Sequence, residues 1–377
     1  NNKREKMNKQ LLKVCFIAPA PPPFGGISKW LSLMCSFADD HRKTLEYTII
    51  NISPSKSISE GRNMWDRIIG SGIDMLRKKR ELVRLIKKEK IDVIHMTTSG
   101  QLAIIRDLVL LKAAGKRKIP SVYHIHMGRT SQILEGKGWE RRLLVRAMRL
   151  ASTVVVLDQN SYAAAKRELP HINIVKLPNP IDLHKLPKLA SDAKKEIVFV
   201  GWNIPTKGVE ELVSAWNNIG KQFPDYCLRL IGPVQEQYKA YLDSLVKVDN
   251  IVIAGELPHE KVMEIMNSSS VFILPSHTEG FPNVIIEAMA LKKPIIATKV
   301  GAIPEMLDEN RGILIESKSI EQIEEALINC IMNVDGTRKM AQNAYDYALK
   351  NYDISKVFIE HEKIWNCLAE NQGTAEY

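Results

Sequence analysis

The sequence has few cysteines. There are five among its 377 residues, an odd number, widely spaced and without a C-x-x-C pair: Cys15, Cys35, Cys227, Cys330 and Cys367. Neither a disulfide framework nor a zinc site is therefore expected, and a reducing cytoplasm fits this usage.

Long hydrophobic runs are missing as well. No apolar stretch reaches the roughly 18 residues that a membrane-spanning helix requires. Basic residues precede Leu11 and Leu12, as in a signal peptide, but Lys13 interrupts the apolar stretch, and proline and glycine follow. We interpret this part as a loose tail followed by a first strand. The 20 Gly and 18 Pro also exclude collagen-like and low-complexity chains.

The chain has the composition of a globular protein and an uneven charge. Hydrophobic residues make up 45% and charged residues 25%, and the length predicts two or three domains. The net charge of +10 is the sum of two opposite parts. Residues 1–185 contain 34 Lys+Arg and 16 Asp+Glu, a net charge of +18, and the remaining residues contain 19 Lys+Arg and 27 Asp+Glu, a net charge of −8. The total admits nucleic acid, an anionic membrane or a phosphorylated substrate as partner. Halves of opposite charge favour two domains with different partners over a uniformly basic nucleic-acid binder.

Short runs rich in Val and Ile alternate with amphipathic segments, which is typical of parallel strands covered by helices on both faces. The predicted strands are 14–18, 47–52, 92–96, 121–126, 153–157, 172–177, 196–201, 227–232, 251–254, 271–274, 294–297 and 312–315. A break at 179–182 and a Lys/Pro-rich stretch after it mark a domain boundary.

We therefore predict a doubly wound α/β protein of two Rossmann-like domains. The first comprises residues 1–183 and a returning C-terminal helix at about 353–370, and the second comprises residues 184–352. A ligand shared by both domains is expected in a cleft between them, at the carboxyl ends of the strands.

The most informative stretch follows the strand 271–274. Its loop contains Glu279 and Gly280, and Pro282 is expected at the first position of a helix. Asn283 and Glu287 are four residues apart and so share one helix face. Free backbone amides and the positive end of a helix attract phosphate or a polar ligand.

A structural explanation of the same residues remains open. Glu279 is then an exposed loop acid and Glu287 a solvated helix residue, as most charged side chains are. The apolar residues around Glu287 weaken this explanation, because a solvated face carries more than one polar residue.

The chain resembles family 4 of the retaining glycosyltransferases, which have the two-domain GT-B fold. The resemblance rests on EGFPNVIIEAMA, PIIAT and VGAIPEML, and on PPPFGGISKWL, HIHMG, VVVLDQNS, LPNPID, VGWNIPTKG and LRLIGP. It implies transfer of a hexosyl group from a nucleotide sugar to a saccharide or lipid-linked acceptor, in polysaccharide or glycolipid synthesis, without a cofactor or metal. Alternatives are an epimerase or a silent donor-binding subunit of the same fold.

The resemblance also implies site residues. Glu287 is expected to bind the ribose diol, and Glu279 to lie beside the transferred sugar. The neighbouring backbone is expected to bind the donor through Gly280, Phe281, Pro282, Asn283 and Val284, although Pro282 has no N–H.

Two further elements of the family pattern involve phosphate. Gly25 and Gly26 follow the first strand, where a glycine loop brings amides close to phosphate, although an ordinary tight turn is the alternative. Lys207 matches a lysine that neutralises the donor diphosphate, whereas Trp202 occupies the position of the family's arginine.

His126 matches a histidine at the end of a strand, near the donor sugar. We expect a hydrogen bond from His126 to the transferred sugar, and we do not expect His126 to shuttle protons. Core positions for His124 and His126 are the alternative.

A basic helix from Arg77 to Lys90 and a second with Arg141, Arg142, Arg146 and Arg149 suggest contact with an anionic membrane, or else solvated helix faces. A basic nucleic-acid-binding protein that uses the same patch is a further, less favoured alternative. Nucleic acid is not expected as a partner, because the patch lacks interleaved aromatic residues and the sequence contains no RNA- or DNA-binding motif. The expected location is cytoplasmic, peripheral on the inner face of a membrane.

Overall fold

The structure is a computed structural model that describes residues 11–22, 25–53 and 64–373, with backbone alone for 64–71, 372 and 373. The predicted N-terminal tail over residues 1–10 and the residues before the glycine pair, Pro23 and Phe24, lie outside the described residues. Contacts divide the chain into two compact units. One comprises the residues up to Pro180 and those from Ile354 onward, and the other is Ile181–Asp353.

The first unit contains a parallel sheet of six strands. They are β1 (Leu12–Ala18), β2 (Leu45–Asn51), β3 (Val93–Thr98), β4 (Ser121–Ile125), β5 (Thr153–Val156) and β6 (Ile174–Lys176), in the order β2-β1-β3-β4-β5-β6. The connecting helices are α1 (Gly26–His41), α2 (Met64–Lys88), α3 (Ala103–Gly115), α4 (Thr130–Glu135), α5 (Trp139–Leu150) and α6 (Gln159–Glu168).

The second unit contains another parallel sheet of six strands. They are β7 (Lys194–Val200), β8 (Cys227–Ile231), β9 (Ile251–Gly255), β10 (Ser269–Leu274), β11 (Ile295–Thr298) and β12 (Ile313–Ile315), in the order β12-β11-β10-β7-β8-β9. Its helices are α7 (Val209–Ile219), α8 (Glu236–Leu245), α9 (His259–Ser268), α10 (Asn283–Ala290), α11 (Ile303–Leu307), α12 (Ile320–Met332) and α13 (Val334–Asn351). Short 3-10 turns cover Leu183–Lys185, Pro205–Lys207 and Gly220–Gln222.

The last helix, α14 (Ile354–Gly373), belongs to the first unit. Its Phe358 and Trp365 join a buried cluster with Trp30 of α1 and with Val14 and Phe16 of β1. Successive strand residues point to opposite faces, so α1 and α14 cover one face of the first sheet.

The opposite face of that sheet is covered by α2, α3 and α5. These helices contribute Leu82, Ile104 and Leu144, which pack with Cys15 and Ile17 of β1. In β1 these two residues alternate with Val14 and Phe16, which point to the face that α1 and α14 cover. A strand buried on both faces must be apolar throughout, which explains the continuous Val and Ile runs.

The two doubly wound sheets confirm the predicted α/β class. All twelve predicted strands are present, with ends displaced by no more than two residues. One displacement concerns a predicted site residue, because β4 ends at Ile125 and His126 follows the strand instead of ending it. Among the described residues, no helix combines the length and apolarity needed to cross a bilayer.

Candidate active site

The strand order of the second sheet reverses between the neighbouring strands β7 and β10. Ligands of open α/β sheets bind at such a switch point, because the loops there leave toward opposite faces and open a crevice. Lys207 lies in the loop after β7, and Glu279 lies in the loop after β10. Two predicted site residues therefore lie where the topology of this unit favours a ligand.

A glycine allows these two loops to touch. Gly208 has a φ of +69°, and a Cβ at this position would lie 2.0 Å from the carbonyl oxygen of Pro275. Only glycine fits such a conformation at such a distance. The amide of His277 also donates to the carbonyl oxygen of Thr206 at 2.8 Å. The backbone thus fixes the position of Lys207 relative to the motif loop.

The side chains of Lys207 and Glu279 are in direct contact. Lys207 Nζ lies 2.6 Å from Glu279 Oε1, and Ser276 Oγ donates to the same oxygen at 2.6 Å. The Lys207 side chain is 23% exposed and that of Glu279 is 9% exposed. Charged hydrogen bonds in such a half-buried place are strong, because little water screens them. The carboxylate is therefore held in place while the ammonium remains accessible.

A third loop supports the backbone of Glu279. Gly301, after β11, has a φ of +58°, and a Cβ there would lie 2.3 Å from the Glu279 carbonyl oxygen. The amide of Ala302 donates to the carbonyl oxygen of Gly280 at 2.9 Å. Loops after three adjacent strands thus converge on Glu279, two of them on its carboxylate and the third on its backbone.

Helix α10 begins one residue later than the sequence suggested. Pro282 was expected at the first helical position, but its ψ of 113° is extended and the helix starts at Asn283. Pro282 caps the helix instead, which its fixed φ permits. Asn283 and Val284 are half-buried in the first turn, and Phe281 is buried edge-on to Tyr352 at 5.9 Å.

Glu287 is buried on α10. It is 6% exposed, and its Oε1 lies 3.7 Å from Nε2 of His259 at the start of α9. The alternative of a solvated helix residue is therefore wrong. A buried carboxylate needs hydrogen bonds or an opposite charge around it, so this position is suited to a structural role beside His259 or to a ligand that offers hydroxyl groups.

Sequence reasoning missed several polar residues around this loop. His277 Nε2 lies 2.9 Å from Glu211 Oε1 on the first turn of α7, which ties the loop to the helix that follows Lys207. Ser276 and His277 lie within the recognised motif, so their position was a usable signal. Glu211 and His259 carry no pattern of their own, because only the fold brings them near the motif.

Trp202 is 57% exposed just after β7. The next residue, Asn203, is buried, and its Nδ2 donates to the carbonyl oxygen of Gly232 at 2.9 Å. Asn203 thus holds this loop in place, while the indole of Trp202 is exposed to solvent.

The glycine pair belongs to the first unit, at the start of α1. The φ of Gly25 is −147°, an extended conformation that any residue adopts, and its amide donates to Ser28 Oγ at 2.7 Å. A positive φ therefore does not explain this glycine. Close approach of a ligand and an ordinary helix start both remain compatible with it.

His126 also lies in the first unit, just after β4. Its ring is half-buried and packs on His124 with ring centroids 4.0 Å apart. Burial lowers the pKa of His126 to about 3. The imidazole is therefore neutral at physiological pH, with one N–H donor and one acceptor nitrogen. His124 is fully buried, as the alternative of a core histidine anticipated.

The predicted site residues thus form two sets. In the second unit, Lys207 and Glu279 are in contact, and the stretch from Gly280 to Glu287 continues the same loop and helix. Gly25, Gly26 and His126 form the set in the first unit.

Two family models match consecutive parts of the chain. "Glycosyltransferase Family 4" covers residues 43–185, and "Glycosyl transferases group 1" covers residues 183–347. The chain belongs to the family 4 glycosyltransferases. Together the two matches span both units and include the loops that carry Lys207 and Glu279.

Curated relatives of this glycosyltransferase come from several bacteria. An uncharacterized glycosyltransferase of Haemophilus influenzae is 28% identical over 293 residues, which cover 76% of this chain and 79% of that protein. The putative teichuronic acid biosynthesis glycosyltransferase TuaC of Bacillus subtilis is 24% identical, with 77% and 72% covered. The capsular polysaccharide biosynthesis glycosyltransferase CapM of Staphylococcus aureus is 27% identical, with 47% of each chain covered.

Solved structures identify the fold of this glycosyltransferase as GT-B. Sucrose-phosphate synthase of Thermosynechococcus elongatus superposes with a TM-score of 0.72 at 15% identity, over 95% of this chain and 99% of that one. Anabaena HepE in complex with UDP gives a TM-score of 0.72 at 18% identity, over 94% and 100%. At these identities the likeness establishes the fold alone.

Replacing Gly208 tests whether stability and sugar transfer depend on the close contact between the loops after β7 and β10. We expect Gly208→Ala to lower both thermal stability and sugar transfer, because the added Cβ meets a backbone oxygen at 2.0 Å. Gly255→Ala is the matched control, since Gly255 has a φ of +70° but nothing within 4 Å of an added Cβ. The control should lose only about 1–2 kcal/mol of unfolding free energy from the φ alone. Equal effects of the two variants on stability and transfer would contradict the account.

Proposed function

We propose that this protein transfers a hexosyl group from a nucleoside diphosphate sugar to a hydroxyl group of a saccharide or lipid-linked acceptor, with retention of the anomeric configuration. The observation that carries the proposal is the contact between Lys207 and Glu279 at the switch point of the second sheet. An ammonium group there can neutralise a departing diphosphate. The adjacent carboxylate is suited to accept hydrogen bonds from sugar hydroxyl groups.

The ion pair with Glu279 fixes the position of the Lys207 ammonium group before the donor binds. A half-buried ammonium is costly without a partner, and Glu279 supplies one. Because an ammonium has three N–H donors, Lys207 can contact the diphosphate without releasing the carboxylate. Donor binding then needs no large rearrangement of the loop.

Glu287 is proposed to bind the ribose of the nucleotide. A carboxylate only accepts hydrogen bonds and can take both ribose hydroxyl groups at once. Its burial removes competing water. The amides near Gly280, Phe281, Asn283 and Val284, at the positive end of α10, are proposed to hold sugar hydroxyl and phosphate oxygens.

The first unit is proposed to contribute His126 and the glycine pair. The neutral imidazole of His126 suits a hydrogen bond to the transferred sugar and does not suit proton transfer, because burial lowers its pKa to about 3. Amides of Gly25 and Gly26 are proposed to approach the donor phosphate.

In the proposed reaction the bond from the anomeric carbon to the diphosphate breaks, and a bond from the same face of that carbon to the acceptor oxygen forms. The departing phosphate takes the proton of the acceptor hydroxyl group. Lys207 and the dipole of α10 stabilise the developing negative charge. We propose that they do so without a metal ion or other cofactor.

The relatives suggest the class of acceptor. TuaC and CapM carry names that refer to teichuronic acid and capsular polysaccharide biosynthesis, and the HepE structure holds UDP. We therefore propose a role in the synthesis of a cell-surface polysaccharide or glycolipid on the cytoplasmic side of the membrane.

A panel of nucleotide sugars tests this function. We expect one donor to be hydrolysed slowly and to raise the thermal stability of the protein, and NMR of the transfer product to show the anomeric configuration of the donor. An inverted product would refute retention, and donor binding without transfer to any acceptor would favour a silent donor-binding subunit.

Glu287→Ala should weaken nucleotide binding by about tenfold or more, since a buried charged contact is lost, whereas Glu260→Ala on the exposed start of α9 should not.

We also propose that the first unit contacts an anionic membrane. Helices α2, α3 and α5 lie side by side on one face of the sheet. They carry a set of exposed apolar residues, which are Ile73 and Leu76 near the middle of α2, Leu102 and Ile105 at the start of α3, and Trp139 at the start of α5. Because α3 and α5 run antiparallel to the strands, their N-terminal ends lie at the carboxyl edge of the sheet.

Basic residues flank this apolar set. On α5, Arg142, Arg146 and Arg149 are exposed and share one face of the helix. On α2, Arg77, Arg80 and Arg84 line a groove beside the edge strand β2. An exposed apolar set beside cationic side chains is typical of surfaces that rest on anionic lipid.

Co-sedimentation with vesicles tests this contact. We expect binding to vesicles that contain 30% phosphatidylserine or phosphatidylglycerol and little binding to neutral phosphatidylcholine. Replacing Arg142, Arg146 and Arg149 with Gln should weaken binding by about tenfold or more, since each basic residue contributes about 1 kcal/mol. The matched control replaces the exposed Lys221, Lys247 and Lys339 of the second unit with Gln. Equal losses in both triple variants would show that net charge alone is responsible.

A further inference from the structure

Four histidines and two tryptophans form a buried cluster in the first unit, which we name the histidine cluster. It consists of His95 of β3, His124 of β4, His126, Trp30 of α1, and His361 and Trp365 of α14. His95, His124 and His361 are fully buried. The cluster joins α1, β3 and α14, which are far apart in the sequence. It also includes His126, the histidine that is proposed to contact the sugar.

Hydrogen bonds within the cluster determine where the protons are. The indole of Trp365 can only donate, and its Nε1 lies 3.0 Å from His95 Nδ1, which must therefore accept. Burial lowers the pKa of His95, so the ring is neutral and carries its proton on Nε2. That nitrogen lies 3.2 Å from His124 Nδ1 and donates to it. His124 in turn carries its own proton on Nε2.

The tautomer of His361 follows in the same way. Its Nδ1 lies 3.0 Å from the carbonyl oxygen of Val357, which can only accept. His361 Nδ1 therefore carries the proton. Burial lowers the pKa of His361 to about 4, so Nε2 keeps a free lone pair at neutral pH.

Four enclosed nitrogens of the cluster have no hydrogen-bond partner among the described residues. They are Trp30 Nε1, His124 Nε2, His126 Nε2 and His361 Nε2. By the assignments above, the first two are donors and the last is an acceptor. Buried polar atoms are rarely left unpaired. One water molecule, which accepts two hydrogen bonds and donates two, would satisfy all four if His126 Nε2 also accepts.

A metal ion is the other ligand that histidines invite. Nitrogens of His95, His124 and His361 lie within 4.8 Å of one another. A metal needs deprotonated ring nitrogens, but the hydrogen bond from Trp365 places a proton on the His95 nitrogen that points to His124. The three-residue group contains no carboxylate to offset a divalent charge in a fully buried place.

We propose that the relay from Trp365 through His95 to His124, together with one water molecule bound by Trp30, His124 and His361, holds His126 as the tautomer protonated on Nδ1. His126 then presents an N–H donor to the sugar, with its Nε2 satisfied from behind. Trp365, His95 and His124 are positioning residues for His126. This inference rests on the proposed role of His126, but the tautomers themselves do not depend on it.

NMR of the full-length protein with ¹⁵N-labelled histidine tests the tautomers directly. The nine histidines are assigned with single His→Gln variants. We expect His95 and His124 to be protonated on Nε2, and His126 and His361 on Nδ1, at pH 7. His126 protonated on Nε2, or His95 protonated on Nδ1, would overturn the proposal, as would one equivalent of tightly bound zinc by elemental analysis. None of these readouts requires a sugar substrate.

Trp365→Phe tests the relay in catalysis. It removes the indole N–H but keeps an aromatic ring in the core. We expect the kcat of transfer to fall about fivefold to tenfold, as for a lost neutral hydrogen bond, with a smaller change in the KM of the donor. Trp216→Phe is the matched control, because Trp216 is fully buried in the second unit and its Nε1 donates to Asn250 at 3.1 Å.

The background of His126→Ala separates positioning from general destabilisation. Trp365→Phe should have no further effect on kcat in that background, since the residue it positions is gone. The same fold-loss in both backgrounds, or the same loss in Trp216→Phe, would overturn the positioning role. If the tautomers are as expected but His126→Ala transfers sugar at the wild-type rate, the proposed role of His126 fails while the relay stands.

Discussion

The contact between Lys207 Nζ and Glu279 Oε1 joins two loops whose residues are 72 positions apart in the sequence. It forms because the strand order places β7 beside β10, so that both loops leave the same edge of the sheet. Gly208 and Gly301 permit the backbone approach that the contact needs. The chemistry proposed for the protein depends on this pair, since it sets a cation and an acceptor group side by side.

The first unit uses a different device. Its candidate residue, His126, is held by a core of aromatic and imidazole rings, and α14 supplies Trp365 and His361 to that core. Helix α14 therefore helps to position a residue that lies more than 200 positions earlier in the sequence. Trp365 and His95, which form one of the hydrogen bonds of this core, are 270 positions apart. Helix α14 thus packs on the first unit and also supplies it with a hydrogen-bond donor, the indole of Trp365.

Much of the fold followed from the sequence, because strands buried on both faces must be continuous apolar runs such as 271–274 and 294–297. The motif around Glu279 also indicated the loop after the strand 271–274, which the strand order then places at the switch point. Glu211 and His259 could not be found in this way, because their partners His277 and Glu287 are distant in sequence and polar pairs leave no periodic signal. The start of α10 was misplaced by one residue, since Pro282 is compatible with both the cap and the first turn.

A double-mutant cycle with Lys207→Met and Glu279→Gln tests most directly whether the two residues act as a unit. The quantity to measure is kcat/KM for sugar transfer. We expect each single variant to be strongly impaired and the double variant to be about as slow as the slower single one, so that the coupling free energy is about as large as the loss in the less impaired single variant. Losses that multiply independently, or wild-type transfer in either single variant, would contradict the account.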